Sequence, residues 1–253
     1  MLQQENPAKT QSRSPEHRAL WHTPARAGGT RWLEAALLAL AAACQRSPSS
    51  DDRVSLLPPP PESILAGMGP RAAIPIRLST DEGSVHCTLD AERAPRAVSM
   101  FIGLATGRAA HRRPRDGVVT TEPLYQGLHF FRAVPGIFVQ AGCPLDNGTG
   151  HPGYRIPPEP HADDAQRLAR GALFLASYTA PPGRTDPDPP PPGHTLGSQF
   201  VIALTSMKQV AGDTTVLGRC QDLDIVERLA QARRAGRLPL LERIELDASE
   251  PHP

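Results

Sequence analysis

The chain has 253 residues, 29 of them proline, with 39% hydrophobic residues and a formal net charge of +1. This length and composition favour one globular domain joined to Pro-rich segments that build no core. A net charge so close to zero gives no electrostatic basis for binding nucleic acid or an anionic membrane surface.

The cysteines argue against a metal site. They stand at positions 44, 87, 143 and 220, form no CxxC pair and have no zinc-ligand spacing with the histidines. We therefore expect no metal and no cofactor. If Cys44 has a separate role, the three that remain cannot all pair within the chain. The basic residues are nearly all arginine, which is typical of a GC-rich bacterial genome.

The first 44 residues have the pattern of an export signal. A polar, arginine-containing segment precedes the apolar run Ala35–Cys44, which is about half of the ~20 residues needed to span a bilayer. The sequence Leu40-Ala-Ala-Ala-Cys44 resembles a bacterial lipobox and predicts lipidation of Cys44. Glu34 and the long polar start oppose this interpretation. A start codon placed too far upstream would explain the long polar start. The alternative to a signal is a short Ala-rich helix in a disordered tail.

Residues 45–70 are predicted to be a linker, followed by a folded domain over 71–248 and a tail over 249–253. The run Pro58–Pro61 favours an extended polyproline II conformation, which acts as a stiff spacer. Behind a lipid anchor, this spacer would hold the domain away from a membrane.

The domain begins with a predicted β-hairpin and a helix. Apolar residues alternate over 74–78 and 85–89, on either side of the turn Asp81-Glu82-Gly83. Ala94-Pro95 then opens an amphipathic helix that Gly107 ends.

The remaining elements predict a mainly β fold. Short apolar strands are expected at 128–134, 137–139, 172–176, 199–204, 214–219 and 240–246, with a second helix capped by Asp222 and running to Arg234. Many short strands with two amphipathic helices are typical of a closed or nearly closed antiparallel barrel whose ends the helices cover.

Two polar residues interrupt the apolar stretch in the middle of the domain. Arg132 and Gln140 lie among Phe, Val and Ile, where burial without partners is costly. Taken alone, Arg132 is a solvated or ion-paired strand residue and Gln140 is a surface amide. Phe130, Phe131, Phe174 and Phe200 are expected in the core.

The segment Phe130–Gly142, FFRAVPGIFVQAG, resembles the signature of the cyclophilin family of peptidyl-prolyl cis-trans isomerases. The motifs NGTG, PGY, GALFLAS, GSQFVI, TVLGR and ERIEL follow in the family's order, so the resemblance covers about residues 72–247. It implies a closed antiparallel eight-stranded barrel capped by two α-helices, in a monomeric, divergent bacterial member.

The resemblance also implies site residues. Arg132 occupies the position of the catalytic arginine. The implied substrate-binding residues are Ile137, Phe138, Gln140, Ala176, Ser177, Gln199, Val201 and Thr214. Phe138 and Gln140 have the same parity, so a strand would point both to one side.

Several of these positions depart from the family pattern. Ile137 and Val201 replace phenylalanines, and Ser177 replaces an asparagine. Gln209 and Thr214 stand where the family has a tryptophan and a histidine. The Pro-rich loop 178–195 is longer than usual.

The implied function is isomerisation of X–Pro bonds in unfolded or exported polypeptides, assisting their folding. The alternative is a catalytically weak or inactive module that binds Pro-containing peptides. A lipobox would place the protein in the cell envelope, anchored through Cys44 and facing the periplasm; the alternative location is the cytoplasm.

Overall fold

The computed structural model describes residues 56–68, 73–178 and 191–247, and one antiparallel sheet forms most of this part of the chain. The predicted signal with Cys44, the linker residues 45–55, most of the loop 178–195 and the tail 249–253 lie outside the described residues. The strands are β1 (Ile74–Thr80), β2 (Gly83–Leu89), β3 (His111–Arg112), β4 (Val119–Thr120), β5 (Leu128–His129), β6 (Arg132–Val134), β7 (Phe138–Ala141), β8 (Ala172–Ser177), β9 (Leu196–Ala203), β10 (Thr215–Cys220) and β11 (Leu240–Leu246).

The large sheet closes on itself. Its nine strands follow the order β5-β11-β1-β2-β10-β8-β9-β7-β6, while β3 and β4 form a separate pair. The two outermost strands, β5 and β6, are consecutive pieces of the single stretch 128–134. Between them, Phe130 N donates to Pro239 O at 2.9 Å and extends the pairing with the β11 segment. Counted as one strand, they give the eight-stranded antiparallel barrel that the sequence predicts.

Two long helices accompany the barrel, as predicted. The helices are α1 (Pro61–Leu65), α2 (Pro95–Thr106), α3 (Asp164–Arg167) and α4 (Leu223–Arg234). Gly107 ends α2 in the left-handed conformation, with φ 73°; a Cβ there would lie 2.3 Å from Thr121 O. Asp222 precedes α4, but the predicted side-chain cap is absent because its carboxylate instead accepts from His86 N at 2.9 Å.

Aromatic rings fill the barrel. Phe200 contacts Phe101 from α2 and also Tyr125, with ring centroids 5.5 and 5.7 Å apart and edge-to-face geometry. Phe130 adds a third edge-to-face contact at 6.5 Å. All four rings are fully buried, so α2 is anchored to the barrel interior.

Part of the predicted linker belongs to the folded domain. Ile64 and Leu65 in α1 are each only 2% exposed and join the main core, where α1 packs against α2. Pro60 has the extended backbone expected of a polyproline run, but Pro61 begins a helix. The prediction that 45–70 builds no core is therefore wrong for residues 56–68, because two adjacent apolar residues on a single helical turn find a buried site.

A disulfide joins Cys87 and Cys220, which are partners in the pairing of β2 with β10. Cys143 is a buried free thiol. One pair and one free thiol agree with the expectation that the three domain cysteines cannot all pair. Over residues 56–68, 73–178 and 191–247, the helices are all too short or too polar to span a bilayer.

A distant carboxylate caps α2, because the N-cap residue Ala94 offers no side-chain acceptor. Glu159, whose side chain is 8% exposed, accepts from Ala97 N at 2.8 Å and from Arg96 N at 3.3 Å. We expect Glu159→Ala to lower the free energy of unfolding by about 1–2 kcal/mol, measured in urea. Glu159→Gln keeps an acceptor and should lose less. A loss no larger than that of the exposed control Glu92→Ala would contradict this role.

Candidate functional site

The site is built on the hairpin formed by β6 and β7. Arg132 pairs with Gln140, and Val134 pairs with Phe138. Cross-strand partners share a face of a sheet, so these four side chains lie on the same side. Val139 is fully buried on the opposite, inward face. The same-parity prediction for Phe138 and Gln140 is confirmed, and both belong to the outer face of the barrel.

A cavity of about 280 Å³ opens on this outer face. The predicted site residues that line it are Arg132, Gln140, Ala176, Ser177 and Gln199. The glycine-rich loop 147–151 and Phe131, Arg155, Tyr178 and Gly197 complete its walls. Residues from five separate parts of the chain therefore meet at one cavity.

A chain of amide hydrogen bonds fixes the floor of the cavity. Gln140 Nε2 donates to Gln199 Oε1 at 3.0 Å. Gln199 Nε2 donates in turn to Gly148 O at 2.9 Å and to Gly150 O at 3.0 Å. Both glutamines are buried, and these bonds satisfy the polar groups whose burial would otherwise be costly. None of the three bonds uses Oε1, the side-chain carbonyl oxygen of Gln140.

Arg132 is exposed at the edge of this cavity. Its guanidinium carbon lies 5.3 Å from the centroid of the Phe138 ring, within the range of a cation–π interaction. Arginine remains charged at any physiological pH and presents its donors in a rigid plane. The hairpin therefore holds a permanent cation directly beside an apolar ring.

An apolar surface continues from Phe138. Phe138 and Ala176 pack against a cluster of buried side chains that includes Phe174, Val201 and Val216. Sequence reasoning missed three other residues that pack there, namely Met207, Val210 and Ala211. They border Gln209, in the segment where the family's tryptophan is absent. The loss of the tryptophan at position 209 was a signal that the apolar residues next to it form the surface instead.

Two predicted binding residues lie apart from these walls. Ile137 is 41% exposed and belongs to neither the cavity lining nor the apolar cluster. Thr214 is 3% exposed and donates its hydroxyl hydrogen to Leu175 O, which gives it a place in the barrel packing.

Phe131 and Arg155 line the cavity although sequence reasoning did not place them there. Phe131, expected in the core, is half-buried against the cavity because it alternates with the inward-facing Phe130. Arg155 is 4% exposed, and its guanidinium carbon lies 4.5 Å from the Tyr178 ring centroid. Arg155 lies in an irregular connection, where no periodic pattern indicates which way its side chain points. The described lining carries two guanidinium groups and no carboxylate.

The fold and the site define a class of protein: an antiparallel barrel that can hold a peptide on its outer face. An apolar surface beside a fixed cation suits a proline ring next to its amide nitrogen. Among the residues that the structure describes, no group of three or more His, Cys, Asp or Glu side chains could hold a metal ion.

Comparison with known proteins identifies the family. The family model described as cyclophilin type peptidyl-prolyl cis-trans isomerase/CLD matches residues 75–247, more than half of the chain. The chain therefore belongs to the cyclophilin-type peptidyl-prolyl cis-trans isomerases, as its sequence motifs predict, and the predicted enzyme class is confirmed at the level of the family.

Curated relatives carry the same enzyme name. Peptidyl-prolyl cis-trans isomerase B of Streptomyces anulatus is 33% identical over 141 residues, which cover 56% of this chain and 73% of that protein. The peptidyl-prolyl cis-trans isomerase of Synechococcus elongatus is 31% identical over 172 residues, covering 68% of this chain and 97% of the relative.

Solved structures support the fold. A cyclophilin-type isomerase from Cryptosporidium parvum matches with a TM-score of 0.54 and 20% identity, covering 70% of this chain and 99% of its own. A second structure of that protein, obtained in the presence of the dipeptide Ala-Pro, gives a TM-score of 0.53, with 69% of this chain and 99% of its own covered at 20% identity.

Proposed function

We propose that this protein accelerates cis–trans isomerisation of X–Pro bonds in unfolded or exported polypeptides and so assists their folding, with Arg132 as the catalytic residue. The observation that carries the proposal is the exposed guanidinium of Arg132, held 5.3 Å from the Phe138 ring at the rim of the cavity.

The chemistry requires only a well-placed cation. Rotation about the X–Pro bond breaks amide resonance, with a barrier of about 20 kcal/mol. In the twisted transition state the proline nitrogen becomes pyramidal and regains its lone pair. A guanidinium aimed at that nitrogen interacts more strongly with the twisted state than with either planar isomer, which lowers the barrier. Every ~1.4 kcal/mol of such stabilisation increases the rate tenfold.

The neighbouring residues would hold the substrate. Phe138, Val201 and Ala176 offer the apolar surface for the proline ring. The side-chain oxygen Oε1 of Gln140 takes no part in the hydrogen bond to Gln199, so it can accept from a substrate N–H. Pro-containing polypeptides are therefore the proposed partners, a choice supported by the Cryptosporidium parvum structure obtained in the presence of Ala-Pro. The mechanism draws on one copy of the chain, and we propose a monomer.

The test is the exchange rate between the cis and trans forms of a short Ala-Pro peptide, measured by two-dimensional NMR exchange spectroscopy. Uncatalysed exchange takes tens to hundreds of seconds at 25 °C. We expect a rate that rises in proportion to protein concentration. A peptide that binds while its exchange rate stays at the uncatalysed value would refute catalysis.

The second candidate function is a binding module with little turnover. Two observations favour it: an exposed Gln209 stands at the tryptophan position, and Thr214, which donates its hydroxyl hydrogen to Leu175 O, stands at the histidine position. Neither residue supplies an aromatic or imidazole group. The exchange measurement separates the two functions because binding alone shifts the peptide resonances without speeding exchange.

We also propose that the protein acts in the cell envelope, lipid-anchored through Cys44. The Cys87–Cys220 disulfide supports an oxidising compartment, since structural disulfides are rare in the reducing cytosol. The test is incorporation of radiolabelled palmitate in a bacterial host. We expect labelling of the wild type and none of Cys44→Ser; an unlabelled wild type would refute the anchor.

A further inference from the structure

The strand that carries Arg132 lies at the seam of the barrel. In the strand order, β6 has a single neighbour, β7, while the preceding piece of the same stretch, β5, pairs with β11. The backbone of an edge strand needs hydrogen-bond partners other than a second strand. Side chains of the helix α4 bond backbone groups just outside the two ends of β6.

Two side chains of α4 bond the backbone on either side of Arg132. Arg233 Nε donates to Phe131 O at 3.1 Å, at the residue just before Arg132. Glu227 Oε2 accepts from Gly136 N at 2.9 Å, in the turn that follows β6. Gln231 Nε2 donates to Glu227 Oε1 at 2.7 Å and fixes the orientation of that carboxylate.

The helix is itself firmly seated. Val226, Leu229 and Ala230 are fully buried in the main core. Asp222 at its start accepts from His86 N in β2 at 2.9 Å. Contacts from α4 therefore connect the ends of β6 to a helix that is packed into the main core.

We propose that Glu227 and Arg233 are positioning residues for Arg132. Together they fix the backbone of β6 at both ends, and through it the direction of the guanidinium toward the substrate. This inference rests on the proposed catalytic role of Arg132. Catalysis by a fixed cation is steeply sensitive to placement, and a displacement of about 1 Å can cost on the order of 100-fold in rate. Loss of one anchor, with the other kept, is expected to cost about three- to tenfold.

The test uses the full chain and paired variants. Glu227→Met removes the acceptor and Arg233→Met removes the donor, while methionine keeps length and helix propensity. Glu227→Gln and Arg233→Lys retain an acceptor and a donor. Arg234→Met, at an exposed position next to Arg233, and Asp224→Asn, which removes a surface ion pair with Arg228 on the same helix, are matched controls.

We expect kcat for an Ala-Pro peptide to fall about three- to tenfold in each methionine variant at Glu227 and Arg233, with KM within about twofold of the wild type. The Gln and Lys variants should recover most of the loss, and the controls should match the wild type. Rates are compared per folded protein, with the folded fraction of each variant taken from its urea unfolding curve, so loss of structure alone does not change the compared kcat. Methionine variants with the kcat of Arg234→Met would overturn the inference.

A second readout is independent of turnover. The Nε–H resonance of Arg132 in a ¹⁵N-labelled sample reports the surroundings of its guanidinium. It should shift in Glu227→Met and Arg233→Met and stay in place in the two controls. If the wild type fails to accelerate exchange, the proposed function fails while this resonance still decides the positioning role; an unshifted resonance in both methionine variants would refute it.

Discussion

Replacing Arg132 with alanine is expected to lower kcat/KM for an X–Pro peptide by about 100- to 1,000-fold, the usual cost of removing one preorganised donor to a transition state. The reason is that, in the proposed mechanism, the guanidinium interacts most strongly with the pyramidal nitrogen, which exists only during rotation. The apolar surface at Phe138 and Val201 remains in the variant. We therefore expect kcat to fall much more than KM rises.

Arg132→Lys refines this prediction. Lysine keeps the charge but loses the planar array of donors that lies beside Phe138, so an intermediate rate is expected. Arg243→Ala is the control, because Arg243 is an exposed arginine on β11 paired with Glu245. Equal rates for the wild type and Arg132→Ala would remove Arg132 from the mechanism.

Removing the Cys87–Cys220 disulfide is expected to lower the free energy of unfolding by about 4 kcal/mol, in a range of about 2–5 kcal/mol. The cross-link spans 133 residues of sequence, so its loss greatly increases the freedom of the unfolded chain. The measurement is urea unfolding of the wild type with and without reductant, and of the double variant Cys87→Ser/Cys220→Ser.

The double variant supplies its own control. Reductant should lower the unfolding midpoint of the wild type to that of the double variant and leave the double variant unchanged. The buried thiol of Cys143 is present in both proteins, so its contribution cancels. A wild-type midpoint that does not respond to reductant, with the disulfide verified as broken by thiol titration, would contradict the expected stabilisation.

Alternation of apolar residues predicted the first hairpin and the last strand of the barrel, while short apolar runs predicted the strands between them. The hairpin of β1 and β2 and the last strand β11 lie where period-two patterns placed them. These elements are local, and burial of one face leaves a direct trace in the sequence. The one-turn helix α1 was missed because five residues after a proline run are too few to show a helical period.

The sequence was sufficient to predict which residue types form the site, but not which of these residues contact each other. Arg132 stood out as a cation in an apolar stretch, but the bond from Gln140 to Gln199 joins residues 59 apart, and no local pattern reports such a pairing. The cap that Glu159 gives α2 is likewise long-range. The aromatic contact of Arg155 with Tyr178 depends on the path of irregular segments, which only the folded chain defines.

The split of the stretch 128–134 between two partners has a consequence for assembly. Its first part pairs with β11, the last strand of the described sheet, and its second part carries Arg132. The contacts of the first part with β11 join residues more than a hundred positions apart, and such distant pairings form slowly. Because β5 and β11 can pair only once β11 has been synthesised, the barrel seam beside Arg132 closes late in synthesis. A nascent chain lacking β11 would therefore leave the stretch that carries Arg132 without one of its two partner strands.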